Sequence, residues 1–167
     1  MITREQLTGA GMRVVELAAH YKGAPHREMR LDGLVYGLLH ERFGVERQHK
    51  IRSRNRKSNR SQRIDFRQPG LNSVVIELAT RTPGRNEVYG SQNTEELRKL
   101  SRQTRASMRY LLLLDVSGHN TISQSDLQST YDDLLKERGR GARRSVRVVY
   151  VHPDAAYDFL WRPRNRG

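Results

Sequence analysis

Apolar residues recur along the chain at two different spacings, and the change of spacing divides it into helices and strands. Residues 3–21 and 25–43 predict two helices, and the first begins with a capping box formed by Thr3 and Gln6. Residues 45–52, a segment ending near Asp65-Phe66, and residues 73–78 predict three strands. The Gln-Pro-Gly turn at residues 68–70 joins the last two strands into a hairpin.

The second half of the sequence alternates helices with strongly apolar strands. A helix capped by Asn93 or Thr94 precedes residues 108–116, a nearly continuous apolar run that is typical of a strand buried on both faces. Residues 122–138 predict another helix and residues 145–151 a last strand. We expect the tail from Trp161 onward to be frayed and basic.

This order of elements predicts one α/β domain over residues 1–167, large enough to bury a single core. Residues 1–22 form an extra N-terminal helix, residues 25–116 an αβββαβ core, and residues 117–167 a C-terminal helix, strand and basic tail. We expect the first strands to be antiparallel neighbours and the later ones to be joined by crossover helices. The result is a mixed central sheet flanked by helices.

The charge balance points to a polyanionic partner. The chain has 31 Lys and Arg against 18 Asp and Glu, a net charge of +13. Nucleic acid is the first candidate for the partner and an anionic membrane the second. The sequence has no apolar stretch of the roughly 18 residues that a bilayer span needs, no signal-sequence pattern and no cysteine. We therefore expect a cytoplasmic protein without a membrane segment or a thiolate zinc site.

Residues 50–63 form a strongly basic segment, the basic arm, in which seven of fourteen residues are cationic: Lys50, Arg52, Arg54, Arg56, Lys57, Arg60 and Arg63. The period-two placement of the first four would put their charges on one side of an extended chain. The arm either neutralises phosphates or is a solvated loop, and the overall charge favours phosphates. Arg85 extends a basic turn after residue 80, and residues 138–144 form a second basic loop.

Two acids lie on the strands of the predicted hairpin. Asp65 is near the end of one strand and Glu77 lies in the next. Antiparallel pairing brings such side chains close together, where two carboxylates repel each other. A cation between them removes the repulsion, and oxygen-only ligands suit Mg²⁺ or Mn²⁺. The alternative is a surface hairpin that carries two unrelated acids.

Asp65, eleven intervening residues, then Glu77 and Ala79 resemble the PD-(D/E)xK nuclease superfamily, whose members share the restriction-endonuclease-like fold. That motif consists of an Asp, a gap, and Glu-x-Lys on the next strand. The predicted αβββαβ order is the core that this superfamily uses. The resemblance implies that Mg²⁺ or Mn²⁺ is held by Asp65, Glu77 and the carbonyl of Leu78, and that a DNA phosphodiester bond is hydrolysed.

Ala79 stands where the motif has its lysine. Three interpretations follow: Lys99 or Arg81 substitutes for the motif lysine, a second metal ion replaces it, or the site is inactive. Arg81 follows Ala79 on the same side of the strand. Lys99 lies on the next predicted helix, in a stripe with Gln92, Glu96 and Gln103. The alternative for Lys99 is an ordinary ion pair with Glu95, four residues earlier.

Other acids are candidates for the same site. Members of the superfamily often carry a further acid on the helix before the first strand, and Glu28 falls within the apolar arc of that helix. Glu28 would equally suit the first helical turn, where the helix dipole favours an acid. Glu41 lies at the edge of the arc, and Glu46 is a second candidate. Asp115 is either a third acid in the cleft or the cap of the turn that follows it.

The function predicted from the sequence is that of a metal-dependent DNA endonuclease. The alternative is a catalytically inactive, nuclease-derived module that binds nucleic acid, and a more distant one is a basic RNA-binding protein. Because 167 residues leave little beyond the fold for reading bases, we expect action as a homodimer or recognition of DNA structure. A tight monomer that reads a six-base site would contradict this expectation.

The basic arm generates its own prediction. Replacing Arg52, Arg54, Arg56 and Lys57 with Gln should weaken DNA binding and flatten its dependence on salt, because each lost phosphate contact removes about 0.9 from the slope of log K against log salt. Fluorescence anisotropy of a labelled duplex at several salt concentrations measures both quantities. Unchanged affinity and slope would mean that the arm is a solvated loop.

Overall fold

A computed structural model describes residues 1–20, 28–50, 63–82, 91–103, 105–137 and 144–163. These residues form four helices and six strands. The helices are α1 (Arg4–His20), α2 (Glu28–Phe43), α3 (Ser91–Ser101) and α4 (Gln124–Glu137). The strands are β1 (Glu46–Lys50), β2 (Arg63–Gln68), β3 (Val74–Arg81), β4 (Met108–Asp115), β5 (Val146–His152) and β6 (Ala155–Trp161).

The six strands form one mixed sheet in the order β1-β2-β3-β4-β5-β6. Strands β1, β2 and β3 are antiparallel neighbours, as predicted. The pairs β3–β4 and β4–β5 are parallel, and helices α3 and α4 make the two crossovers. The segment from α2 to β4 therefore has the αβββαβ order expected of a restriction-endonuclease-like core, and the predicted α/β fold class is confirmed.

Helices cover both faces of the sheet. Helices α1 and α2 pack on the face that carries Ile76 and Leu78, whereas α3 and α4 pack on the face that carries Val75 and Ala79. Leu111 to Leu114 alternate between the two apolar clusters, and none of the four is exposed. This double burial explains why β4 reads as an unbroken apolar run.

The turn end of the β2–β3 hairpin holds the N-terminus and the end of α2. The Gln68 side chain accepts a hydrogen bond from the Ile2 amide (2.9 Å) and donates one to the Phe43 carbonyl (3.1 Å). At the start of α1, Thr3 and Gln6 exchange hydrogen bonds of 3.0 and 3.3 Å, which is the predicted capping box. Gly70, in the hairpin turn, has φ of 122°, a conformation that favours glycine.

The prediction of a frayed tail from Trp161 onward was wrong at its first residue. Trp161 ends β6, which pairs antiparallel with β5 through a tight turn at residues 153–154. The indole is 3% exposed and its Nε1 donates to Asp132 Oδ1 at 3.1 Å. Tyr157, Phe159 and Trp161 lie on the side of β6 that faces the α3–α4 cluster, whereas Asp158 lies on the other side and pairs with Arg147 of β5.

No helix in the described ranges is both long enough and apolar enough to cross a bilayer.

Two glycines of α1 give a matched test of helix packing. Gly9 is exposed, and an added methyl group would meet nothing, so Gly9→Ala should raise the free energy of unfolding by roughly 0.5–1 kcal/mol through helix propensity. At Gly11 the same methyl group would lie 2.9 Å from Val151 Cγ2 and 3.3 Å from Leu114 Cδ2. Gly11→Ala should therefore be less stable than Gly9→Ala by about 1 kcal/mol or more in urea unfolding. Equal stabilities would contradict the close packing of α1 on the sheet.

Candidate active site

The candidate site is centred on Glu77, a carboxylate in the interior of β3. Glu77 is 1% exposed and lies between Val75 and Ala79 on the side of the strand that faces α3. Its neighbours along the strand are apolar, so the side chain cannot be solvated from within the sheet. A carboxylate in this position needs a hydrogen-bonding partner, a proton or a cation.

Asp65 brings a second carboxylate to Glu77 from the adjacent strand. The β2–β3 register pairs Phe66 with Ile76, which places Asp65 beside Glu77. Asp65 is half-buried, and its Oδ2 accepts a hydrogen bond of 2.9 Å from the Leu78 amide. The two acids predicted to meet across the hairpin therefore do meet.

Lys99 approaches the same carboxylate from α3. Its Nζ lies 2.6 Å from Glu77 Oε2, and the lysine side chain is 19% exposed. Leu97 and Leu100 hold this helix against the sheet because both are fully buried in the α3–α4 apolar cluster. The alternative of an ordinary helical pair with Glu95 does not account for this contact, and Glu95 pairs with Arg98.

The electrostatics of Glu77 are dominated by its burial. The pKa of Glu77 is raised to about 9: burial raises it most and the negative charges of Asp65 and Glu96 also raise it, whereas Lys99 lowers it. Two carboxylates and a lysine within reach of a third carboxylate form a compact charged group inside an apolar wall. Such clusters of perturbed groups are more frequent at functional sites than elsewhere.

The donor set fits a hard divalent cation. Glu77 Oε1 is buried and makes no hydrogen bond to any described residue. This leaves one carboxylate oxygen available beside Asp65, and oxygen-only donors are those that Mg²⁺ and Mn²⁺ prefer. The described residues contain no group of three or more His, Cys, Asp or Glu side chains placed to hold a metal, so the Leu78 carbonyl and water would have to complete the shell.

Ala79 and Arg81 follow Glu77 on the same side of β3, as predicted, but neither resembles the motif lysine. Ala79 is 1% exposed and belongs to the apolar cluster. The Arg81 guanidinium is held at the far end of the strand, where Nη1 donates to Asp115 Oδ2 (3.0 Å) and to the Asn120 carbonyl (3.2 Å). Along a strand, Arg81 lies about 13 Å from Glu77. Its predicted catalytic role has less geometric support than that of Lys99.

Asp115 caps the turn after β4, the more ordinary of its two predicted roles. Its Oδ1 accepts hydrogen bonds from the amide (3.1 Å) and hydroxyl (2.6 Å) of Ser117, and its Oδ2 accepts one from Tyr150 Oη (2.7 Å). Burial would raise the pKa of Asp115, but these bonds and Arg81 lower it below its usual range. The sequence gives no signal for Tyr150, because its partner is 35 residues away.

The other predicted residues divide into three groups. Glu28 begins α2, but its side chain lies outside the described part of the structure, so its role stays a prediction. Lys50 and Arg63 are register partners at the ends of β1 and β2, so the basic arm connects two antiparallel strands next to Asp65. The remaining basic residues lie outside the described residues: Arg52, Arg54, Arg56, Lys57, Arg60 and Arg85.

Of the stripe predicted on α3, the structure brings Lys99 and Glu96 close to Glu77 but not Gln103. Glu96 is close enough to raise the pKa of Glu77. The sequence analysis did not assign this role to Glu96, although the spacing of Glu96 from Lys99 was an available signal. Gln103 turns back to the helix, where Nε2 donates to the Lys99 carbonyl at 3.4 Å. The side chain of Gln92 is not among those described. Glu41 and Glu46 are exposed, so the structure does not bring them into the buried group.

Comparison with known proteins gives only distant structural likenesses. No protein-family model matches the chain, and no curated protein matches it. Pyrococcus furiosus SfsA in complex with Ca²⁺ shares 16% identity over 79% of this chain and 62% of its own, with a TM-score of 0.34. The chain thus spans less than two thirds of that protein. SSO0001 shares 15% identity over 99% of this chain and 68% of its own, with a TM-score of 0.33. The fold assignment therefore rests on the order and pairing of the strands.

The raised pKa of Glu77 predicts a pH-dependent stability that Glu77→Gln removes. Between the ordinary pKa of 4.5 and the folded-state pKa of about 9, the unfolded chain releases a proton that the folded protein keeps. The wild-type free energy of unfolding should therefore fall relative to that of Glu77→Gln as pH rises, by up to about 1.4 kcal/mol per pH unit. Urea unfolding of both proteins in EDTA across this range measures the difference. A difference that does not change with pH would contradict the neutral, buried state of Glu77.

Proposed function

We propose that this protein is a metal-dependent DNA endonuclease that hydrolyses phosphodiester bonds. The observation that supports the proposal most strongly is the 2.6 Å contact between Lys99 Nζ and Glu77 Oε2. It brings a lysine, carried by a different element, to the acid beside which the PD-(D/E)xK motif would place one. Asp65 on the adjacent strand completes the combination of two acids and one lysine.

Asp65, Glu77 and the Leu78 carbonyl would hold Mg²⁺ or Mn²⁺. When bound, the ion would supply an activated water and neutralise the charge of the phosphate. The Leu78 amide fixes the Asp65 carboxylate through the bond to Oδ2, so this ligand does not have to be ordered on binding. The buried Glu77 would release its proton to solvent when a divalent ion binds, because the ion offsets the cost of a negative charge in this position.

Lys99 would act on the phosphate rather than on the metal. An ammonium group held by Glu77 can donate to a nonbridging oxygen, where negative charge develops as the attacking oxygen adds. Lys99 is partly exposed, so it can reach both the carboxylate and a ligand at the surface of the cleft. Arg81 is occupied by Asp115 and Asn120 and would contribute only to the field at the end of β3.

DNA is the proposed substrate because of charge and position. The net charge of +13 suits a polyphosphate, and the basic arm joins the end of β1 at Lys50 to the start of β2 at Arg63, two residues before Asp65. The arm would hold a phosphate backbone next to the acids. RNA presents the same phosphates, so a comparison of the two nucleic acids belongs in the test.

Ala79 favours a second candidate, a catalytically inactive nucleic-acid-binding module that retains the nuclease fold. A buried alanine in the apolar cluster occupies the position of the motif lysine. If Lys99 only neutralises Glu77, the site holds no metal and the basic surfaces alone carry the function.

Cleavage of supercoiled plasmid and of branched DNA with Mg²⁺ or Mn²⁺ distinguishes these functions. Asp65→Asn, Glu77→Gln and Lys99→Met should each lower the rate by about 10²-fold or more, because each removes a metal ligand or the donor to the phosphate. Glu95→Gln is the matched control, since Glu95 lies on the same helix but is exposed and pairs with Arg98. Thermal unfolding of each variant checks the fold.

Two results would contradict the proposed endonuclease activity at this site. One is no cleavage of DNA or RNA by the wild type with either metal. The other is metal-dependent cleavage that survives in Asp65→Asn and Glu77→Gln. Nucleic-acid binding that persists in both variants without any cleavage would establish the binding module instead.

A further inference from the structure

Three aromatic rings in near-parallel contact lead from the core to the surface beside β1, the outermost strand of the sheet that the structure describes. The Tyr36 ring lies 6.4 Å from the Phe66 ring, centre to centre, with 14° between their planes. On α2, the His40 ring lies 5.0 Å from the Tyr36 ring, with 25° between their planes. Phe66 is fully buried, Tyr36 is half-buried and His40 is exposed, so the last ring of the series meets the solvent.

The backbone holds the exposed ring of His40 in one orientation. Its Nδ1 lies 2.8 Å from the Val45 carbonyl oxygen, and because a carbonyl oxygen can only accept, Nδ1 carries a proton and donates. In the neutral ring, Nε2 is then an acceptor, and it makes no hydrogen bond to any described residue. His40 therefore presents an ordered aromatic face and a hydrogen-bond acceptor at the surface.

Arg47 adds a guanidinium to the same surface. It is the register partner of Phe66, and its Cζ lies 5.6 Å from the centre of the Tyr36 ring. An ion pair with Asp32, one turn before Tyr36 on α2, fixes the guanidinium, whereas 41% of the arginine side chain stays exposed. We call Tyr36, His40 and Arg47 the ring platform. Ordered rings beside a cation are the groups on which proteins stack unpaired nucleobases, because every base has a π face and an adjacent phosphate.

The ring platform and the candidate active site lie on opposite faces of the sheet. Phe66 and Tyr36 pack in the α1–α2 apolar cluster, whereas Glu77 lies between Val75 and Ala79 of the α3–α4 cluster. Strand β1 is two strand spacings, about 10 Å, from β3. A DNA duplex has a persistence length of about 150 base pairs and does not bend round an edge of this width, whereas an unpaired strand does. A nucleic acid that contacts both surfaces is therefore single-stranded where it passes β1.

We propose that the ring platform binds an unpaired base of a nucleic-acid strand, stacked on His40, and that the same strand continues round β1 towards the candidate active site. The inference rests on the proposed function and narrows its substrate to nucleic acid with an unpaired segment. Tyr36 already contacts Phe66, His40 and Arg47, so the base adds to the exposed ring of His40. Arg47 bonds to Asp32 through Nη2 and keeps further donors for the adjacent phosphate.

His20 gives a matched control because its local chemistry is the same as that of His40. It is also exposed in the last turn of a helix, and its Nδ1 lies 2.7 Å from the Glu16 carbonyl oxygen. No ring of the described residues stacks on His20. Both His20→Gln and His40→Gln thus remove an exposed, backbone-bonded histidine at a helix end, but only His40→Gln removes a ring of the platform.

Fluorescence of 2-aminopurine in a short oligothymidylate, titrated with the full-length protein in EDTA, tests the platform, because stacking on an aromatic ring quenches this base. His40→Gln should remove the quenching and weaken binding about fivefold or more, since it removes one stacked base. His40→Phe retains a ring and should keep the quenching and most of the affinity. His20→Gln should match the wild type, and thermal unfolding of each variant checks the fold.

Unchanged quenching in His40→Gln would overturn the proposal, and so would an equal loss in His20→Gln or in His40→Phe, because the ring would then not be the cause. The annealed duplex and free 2-aminopurine nucleoside triphosphate are the comparison ligands. A duplex that binds as tightly as the single strand, with the same dependence on His40, or a free nucleotide that is quenched when the strand is not, would also overturn it. Because the assay contains no divalent metal, quenching that depends on His40 while plasmid cleavage fails separates this inference from the endonuclease.

Discussion

The contact between Glu77 and Lys99 is the interaction on which the candidate site depends. A carboxylate that is 1% exposed in the middle of a sheet is costly unless a proton, a cation or both compensate it. Lys99 supplies part of this compensation at 2.6 Å, and burial keeps the pKa of Glu77 near 9. The remaining carboxylate oxygen, Oε1, has no hydrogen bond from any described residue. This oxygen is the feature on which the proposed metal site rests.

Strand register and helix packing bring Asp65, Glu77 and Lys99 together. The β2–β3 hairpin sets Asp65 beside Glu77 through strand register, and the crossover from β3 to β4 returns α3 across the same face. Leu97 and Leu100 fix that helix by burying its apolar side, which leaves Lys99 directed at the strand. The candidate site is thus a product of one helix–sheet interface.

Most of the architecture was predictable, because each element carries its own periodicity and its own turn residues. The β2–β3 hairpin and the buried strand β4 follow directly from β-branched and apolar runs. Strand β6 was missed although Tyr157, Phe159 and Trp161 recur with period two, a signal that the sequence did contain.

The acids of the candidate site could be predicted from the sequence, but the contacts that the other side chains make with them could not. The spacing of Asp65 and Glu77 across a turn is a local property, so their meeting could be expected. Whether Lys99 or Arg81 contacts Glu77 could not be predicted, because it depends on how α3 packs on the sheet. It also depends on Asp115, at the end of β4, which pairs with Arg81. Glu96 lies in the predicted stripe with Lys99, but its effect on the pKa of Glu77 also depends on how α3 packs on the sheet.

Calorimetric titration with Mn²⁺ at neutral pH, in two buffers that differ in ionisation enthalpy, tests the central claim most directly. If Asp65 and Glu77 form a metal site, binding should release close to one proton per metal ion, because the neutral Glu77 must ionise to become a ligand. Wild-type protein should show this release and Glu77→Gln should neither bind nor release a proton. Absence of binding by the wild type, or binding without proton release that persists in Glu77→Gln, would contradict the account.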